Sequence, residues 1–164
     1  MKSIGHEETF ARDLAGTVEV HRHLVRMVDA VARRVRGADA VGRTVSVKLR
    51  YPDFTTVGRS QTLADPTDLA VEILAAATSL VDSIDITPGI RLLGVSLSNL
   101  QDGSVRQLRF EDVAAPEGRA PGWRDAEGAV DRIRERFGTG AIGPAAADDL
   151  GPKEVGDSQW GPDL

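Results

Sequence analysis

Residues 43–63 constrain the fold most, because this stretch is typical of two β-strands joined by a tight turn. Apolar and polar residues alternate over residues 44–51, so that strand has one apolar face and one polar, basic face. Pro52 and Asp53 favour a turn, since proline presets φ and aspartate can hydrogen-bond nearby backbone. The second strand returns with small hydroxyl residues around Arg59. The pattern predicts a half-buried hairpin.

The polar side of this hairpin supports two interpretations. Lys48, Arg50 and Arg59 are predicted to be available to solvent, and together they could bind phosphate groups. The alternative is the solvated face of an ordinary sheet. The hairpin by itself does not decide between them.

The chain has 164 residues, which is long enough for one domain with a hydrophobic core. It has no cysteine, which excludes disulfides and thiolate metal sites. No run approaches the roughly 18 apolar residues of a membrane span, and the N-terminus is too polar for a signal peptide. We therefore expect a cytoplasmic protein without a membrane partner. The formal net charge of −5 lies entirely in residues 101–164, so nucleic-acid binding would require a local patch in the first hundred residues.

The remaining elements are predicted from periodicity and from their end signals. Residues 1–14 alternate as a strand, and Thr17–Arg36 has a helical apolar stripe that includes Val18. A second helix is expected over Pro66–Asp82, with Asp65 as its N-cap, and a last strand over Ile90–Leu100.

This β-α-β-β-α-β order predicts an α+β domain: a four-stranded antiparallel sheet with two helices on one face and the other face open. We expect residues 1–100 to form this domain and residues 101–122 to be a linker. Residues 123–137 are predicted to form a short helix, and residues 138–164 a largely flexible, disordered tail, apart from residues 159–164 at its end.

Catalytic and metal-binding patterns are absent from the sequence. No P-loop, nucleophile elbow or zinc-protease motif occurs. Glu7 and Glu8 are neighbours in a predicted strand and so point to opposite faces. His21 and His23 are two positions apart on a helix and cannot easily share a metal. We predict no catalytic residue, no metal site and no cofactor in this chain.

Three segments together resemble a known family. They are Lys2–Gly5 at the start of the first strand, the hairpin with its Val-Lys-Leu-Arg-Tyr and Arg-Ser-x-Thr-Leu motifs, and Arg91–Val95 in the last strand. In this order and spacing they resemble the little finger domain of Y-family translesion DNA polymerases, most closely the DinB (polymerase IV) class of actinobacterial type. The resemblance covers residues 2–100.

The resemblance implies a DNA-binding fragment of a polymerase. The palm, fingers and thumb of the family would all precede Lys2, so this chain is expected not to polymerise DNA, and the Mg²⁺ would belong to the missing catalytic domains. The implied partners are primer–template DNA and those catalytic domains, and the implied location is the nucleoid. In the family, the open sheet face contacts the phosphates of the duplex. Carried onto this sequence, the implied contacts are Ser3, Gly5, His6, Thr9, Lys48, Arg50, Arg59, Ser60, Gln61, Ser96 and Ser98.

The family resemblance also implies a sliding-clamp peptide after the domain. Gln107, Leu108 and Phe110 resemble a shortened form of that peptide, in which two apolar side chains would enter a pocket on the clamp. Residues 159–164, with Trp160, are a rival candidate.

Two further hypotheses stay open at this stage. The chain could be a protein-interaction module for a clamp or repair factor with little DNA affinity of its own, which its negative charge favours. An unrelated ferredoxin-like domain with a small ligand would require the three matches to be accidental.

Overall fold

The computed structural model describes residues 3–104, 120–145 and 158–160. Over the first hundred residues its strands and helices follow the predicted order, β-α-β-β-α-β. In chain order they are β1 Ser3–Leu14, α1 Thr17–Gly37, β2 Ala40–Arg50, β3 Thr56–Thr67, α2 Ala70–Asp82, β4 Ile90–Ser98, β5 Gln101–Asp102, α3 Ala120–Phe137 and β6 Ser158–Trp160.

The sheet is antiparallel and has the strand order β3-β2-β4-β1-β6, while β5 pairs with the start of β2. The last long strand therefore lies between the first two, which is the arrangement expected when two β-α units pack their helices on the same side. Helices α1 and α2 both contribute to one core beneath β1, β2 and β4. The predicted α+β class and four-stranded antiparallel sheet are confirmed.

The core is built from alternate residues of the sheet and one stripe of each helix. Val45, Val47 and Leu49 of β2 are 0–2 % exposed, as the alternation predicts. The predicted stripe of α1 is right in its second half, where Val28 is buried, but wrong at its start, where Val18 is 68 % exposed. Val20 and Leu24 are buried in that first half instead.

The predicted start of the second helix is wrong. Asp65 and Pro66 belong to β3, because Thr67 still pairs with Gly42 after an irregularity in the ladder. Helix α2 begins at Ala70, whose amide donates to the carboxylate of Glu127 at 2.9 Å. The cap comes from a residue 57 positions away, which a local start signal cannot reveal.

Helix α3 packs on the helical layer through charged side chains. Arg36 of α1 donates to both Glu127 and Asp131, the latter at 2.7 Å. Arg134, which is 4 % exposed, donates to Asp29 of α1 at 2.8 Å. These contacts fix the C-terminal helix against α1.

The C-terminal tail adds a strand at the sheet edge. Residues 158–160 form β6, which pairs with Gly5, His6 and Glu7 of β1. The last strand of the domain ends at Ser98 rather than at Leu100.

Candidate nucleic-acid interface

The face of the sheet opposite α1 and α2 carries none of the described helices, and we call it the open face. Residues that pair directly across antiparallel strands lie on the same side of a sheet, so the register assigns its members. They form four rows across β1, β4, β2 and β3: Ser3–Ser98–Thr44–Thr62, Gly5–Ser96–Ser46–Ser60, Glu7–Gly94–Lys48–Gly58 and Thr9–Leu92–Arg50–Thr56.

Small polar side chains dominate the open face, and this makes it flat. In the first row, the Thr44 hydroxyl lies 3.1 Å from the Thr62 hydroxyl and accepts from the Asn99 side-chain amide at 2.7 Å. Ser98 donates to the Thr44 carbonyl at 3.4 Å. Ser96 is 7 % exposed in the middle of the sheet. A flat surface rich in hydroxyl groups can approach a nucleic-acid backbone closely, since hydroxyls donate to phosphate oxygens.

Among the residues that the structure describes, the four rows of the open face contain two cations, Lys48 and Arg50, on alternate positions of β2. The Lys48 ammonium lies 2.6 Å from a carboxylate oxygen of Glu7. The Arg50 guanidinium donates to the Thr56 hydroxyl at 3.1 Å. Both cationic side chains are half-buried, so they lie along the sheet rather than extending into solvent.

Several predicted site residues come together on this face. The structure places Ser3, Gly5, Thr9, Lys48, Arg50, Ser60, Ser96 and Ser98 there. Gly5 is also engaged through its backbone, since its carbonyl accepts from Arg34 of α1 and its residue pairs with β6.

The His6 side chain does not lie on the open face. Its position on β1 has the same parity as Ile4 and Phe10, and it is 1 % exposed on the helix-covered side. The alternation of the strand contained this information, because His6 is one residue out of phase with Gly5. The prediction that the His6 side chain contacts a ligand on the open face is therefore wrong.

Arg59 and Gln61 also have the other parity. They pair with Val47 and Val45, whose side chains enter the core, so the predicted grouping with Lys48 and Arg50 is wrong. Both are exposed, and β3 is an edge strand of the sheet. Arg59 folds back onto the Gly58 carbonyl at 2.9 Å. It borders a shallow depression with Ser46 and Ser60, at the edge of the open face.

Sequence reasoning missed Thr44, Ser46, Thr56 and Thr62 as members of the site. The signal was present for Thr44 and Ser46, which alternate with buried valines. For Thr56 and Thr62 it was absent, because β3 is polar on both sides and its phase depends on the length of the turn at 51–55. In that turn Asp53 accepts from the Thr55 amide at 2.9 Å, as the turn prediction requires.

Other predicted sites have different outcomes. The clamp-peptide candidate Gln107, Leu108 and Phe110 lies outside the described residues, as do residues 161–164 of its rival. Within the described part of the chain, no cluster of three or more His, Cys, Asp or Glu side chains could hold a metal ion. No helix in the same part is long and apolar enough to cross a bilayer.

Residues 1–110 match the impB/mucB/samB family C-terminal domain. The chain belongs to this family. It is 40% identical over 148 residues to a DNA polymerase IV of Desulfatibacillum aliphaticivorans, covering 88% of this chain and 36% of that protein. It is 39% identical over 120 residues to a DNA polymerase IV of Streptomyces coelicolor, covering 73% and 25%. The chain thus spans about a third of the length of these relatives or less.

Solved structures share the fold. The little finger domain of PolIV in complex with the beta-clamp processivity factor superposes with a TM-score of 0.51 at 23% identity, over 58% of this chain and 86% of that one. DinB from Sulfolobus solfataricus superposes with a TM-score of 0.54 at 14% identity, over 61% and 29%. With the family match, these similarities confirm the resemblance to the little finger domain of Y-family polymerases.

Proposed function

We propose that this chain is the DNA-gripping domain of a translesion DNA polymerase and that its open face lies along the primer–template duplex. One observation carries the proposal: the register brings Lys48, Arg50 and a set of small hydroxyl residues onto one flat sheet face that none of the described helices covers. Cations and hydroxyls bind phosphate oxygens without reading sequence, which suits an enzyme that must move along any template.

Weak binding by the isolated chain is part of this proposal. Few cationic contacts and a net charge of −5 limit its affinity, so we expect a dissociation constant within the non-specific range of about 10⁻⁴ to 10⁻⁶ M. In a whole polymerase, the catalytic domains would bind the same duplex and raise the effective concentration of DNA at the open face. Nucleotidyl transfer and its Mg²⁺ would belong to those domains, and the protein would act at the nucleoid in the cytoplasm.

The test is fluorescence anisotropy of a labelled primer–template duplex titrated with the 164-residue chain at three salt concentrations. Arg50→Glu should weaken binding by about tenfold or more and reduce the salt dependence. Arg59→Glu should have a smaller effect, because Arg59 pairs with Val47 and lies only at the edge of the open face. Arg132→Glu, an exposed reversal on α3, is the control for total charge. Equal losses in all three variants, or no binding by the wild-type chain at low salt, would overturn the proposal.

Docking on a sliding clamp is a second candidate function. It is favoured by the solved complex of a PolIV little finger with the beta-clamp, although that protein is only 23% identical to this chain. We propose Gln107, Leu108 and Phe110 as the clamp peptide. Their simultaneous replacement by alanine should abolish binding to a purified clamp and leave DNA binding intact. Retained clamp binding would transfer the role to residues 159–164 or to the domain surface.

A further inference from the structure

An acidic residue occupies the centre of the proposed DNA-binding surface. Glu7 lies on β1 and Lys48 on β2, and both pair with Gly94 of the intervening strand β4. Their side chains meet above that strand, with the Lys48 ammonium 2.6 Å from the Glu7 carboxylate. The pair therefore spans two strand spacings, about 10 Å between backbones.

Gly94 makes this bridge possible. A β-carbon at position 94 would lie 3.3 Å from the Glu7 carboxylate oxygen and 3.6 Å from its Cβ, in the space that the bridge now occupies. The Glu7 side chain is 13 % exposed and that of Lys48 is 31 % exposed, so the pair lies flat on the sheet. Because the Glu7–Lys48 pair lies flat, the row that contains it does not project above the small residues of the neighbouring rows.

The bridge has a consequence for phosphate binding. A phosphate that approaches Lys48 meets the Glu7 carboxylate, which repels it and already neutralises the lysine. Arg50, the other cation of the open face, instead donates to a neutral hydroxyl, that of Thr56. The two cations are thus unequal: one is available at once, and the other must exchange a carboxylate for a phosphate.

We propose that Glu7 is an intramolecular competitor for Lys48 that keeps the affinity of the open face for DNA phosphates low. This inference rests on the proposed function and describes how that site is regulated. Each step of a polymerase along its template requires the domain to release one set of phosphates and bind the next. A lysine that returns to a carboxylate between phosphates lowers the free-energy cost of release.

Glu7→Gln in the 164-residue chain tests the proposal, with the same labelled duplex titrated at several salt concentrations. The amide keeps the shape of the side chain and removes its charge. We expect the variant to bind about threefold to tenfold more tightly at low salt. The slope of log affinity against log salt should steepen by about 0.9, since one more counterion is released. Glu72→Gln is the matched control, because it removes the same charge from an exposed position on α2.

A double-mutant cycle with Lys48→Gln assigns the gain to the pair. If Glu7 acts by competing for Lys48, the gain from Glu7→Gln should be smaller in the Lys48→Gln background, where only the direct repulsion between the carboxylate and the phosphate remains to be removed. An equal gain in both backgrounds would show that Glu7 acts by repulsion alone. Thermal unfolding verifies that each variant is folded, and Glu7→Thr provides a second neutral variant with good strand propensity.

Two further results would overturn the inference. If Glu7→Gln binds no more tightly than Glu72→Gln, the carboxylate does not compete. If it binds more weakly than wild type, Glu7 positions Lys48 for DNA instead. Both results require measurable binding by the wild-type chain. The proposed function fails instead if that binding is absent or if the Arg50, Arg59 and Arg132 reversals cause equal losses, so the two failures are distinguishable.

Discussion

At the scale of single residues, Gly42 is the described glycine at which an added β-carbon would come closest to its neighbours. A β-carbon there would lie 2.4 Å from Cγ and 2.6 Å from Cδ2 of Leu97, and 3.0 Å from Cδ2 of Leu100. Leu97 is fully buried in β4, so it cannot move aside without disturbing the strand above the helices. Glycine at this position lets the start of β2 pack closely against the leucine.

Gly42→Ala should therefore lower the free energy of unfolding by about 1–3 kcal/mol, the usual cost of overpacking a core. Gly58→Ala is the matched control in the same hairpin. Its new β-carbon would meet nothing nearer than the Val47 carbonyl, at 3.7 Å, and the substitution should change stability by no more than about 0.5 kcal/mol. Chemical denaturation of both variants measures the difference. Equal stabilities would contradict the predicted clash.

The sequence predicts which side of the sheet a residue lies on where buried apolar residues alternate with polar ones. It fails to do so where a strand has no such alternation. The valines of β2 fixed the phase of that strand, and with it the open-face positions of Lys48 and Arg50. The edge strand β3 has exposed residues on both sides, so the side on which Arg59 lies depends on its pairing with Val47. Pairing across a turn depends on the turn's length and hydrogen bonds, which the pattern of a polar strand does not contain.

At the scale of elements, the distinctive contact is the one between α3 and the start of α2. Glu127 accepts from the Ala70 amide at 2.9 Å and also receives a hydrogen bond from Arg36. The carboxylate thus acts as the N-cap that α2 lacks locally, since Leu69 precedes the helix and makes no side-chain cap. The sequence suggested Asp65 for this role, with Pro66 as the first helical residue, because a remote cap leaves no local signal.

Glu127→Ala should lower the free energy of unfolding by about 1–2 kcal/mol through loss of this cap, and should speed hydrogen exchange at the Ala70 amide. Asp131 still pairs with Arg36 in the variant, so the buried guanidinium keeps a counterion. Glu135→Ala, an exposed change on the same helix, is the control and should be nearly neutral. Unchanged exchange at Ala70 in the Glu127 variant would show that α3 does not cap α2 in solution.

The same carboxyl predicts a pH dependence. Burial raises the pKa of Glu127 above its ordinary value of 4.5, although Arg36 and the Ala70 amide oppose the shift. A carboxyl that binds its proton more tightly when folded stabilises the fold most below pH 4.5 and less as the pH rises through its folded-state pKa. The stability of the wild type relative to Glu127→Gln should therefore fall as the pH increases above 4.5. Denaturation of both proteins at several pH values measures this difference, and a rise in it would contradict the assignment.

At the scale of the whole molecule, the net negative charge lies outside the part of the chain that forms the sheet and its two helices. The first hundred residues carry equal numbers of acidic and basic residues and form the sheet with its two helices. Residues 146–164 carry five acidic residues and one lysine, a net charge of −4, which leaves a net charge of −1 on residues 1–145. Part of this acidic segment contacts the domain, because residues 158–160 pair with Gly5, His6 and Glu7 of β1.

This arrangement predicts that the acidic segment weakens DNA binding by long-range repulsion. A chain that ends at Ala145 keeps α1, α2, α3 and the open face, and it should bind duplex DNA more tightly than the 164-residue chain at low salt. The advantage should shrink above about 0.15 M salt, where the Debye length is about 8 Å. A 164-residue variant with amides in place of the five acids at 148, 149, 154, 157 and 163 separates charge from strand pairing, because it retains residues 158–160. Equal gains in both proteins would assign the effect to charge, as expected. A gain confined to the truncated chain would assign it to β6 at the sheet edge and contradict the electrostatic explanation.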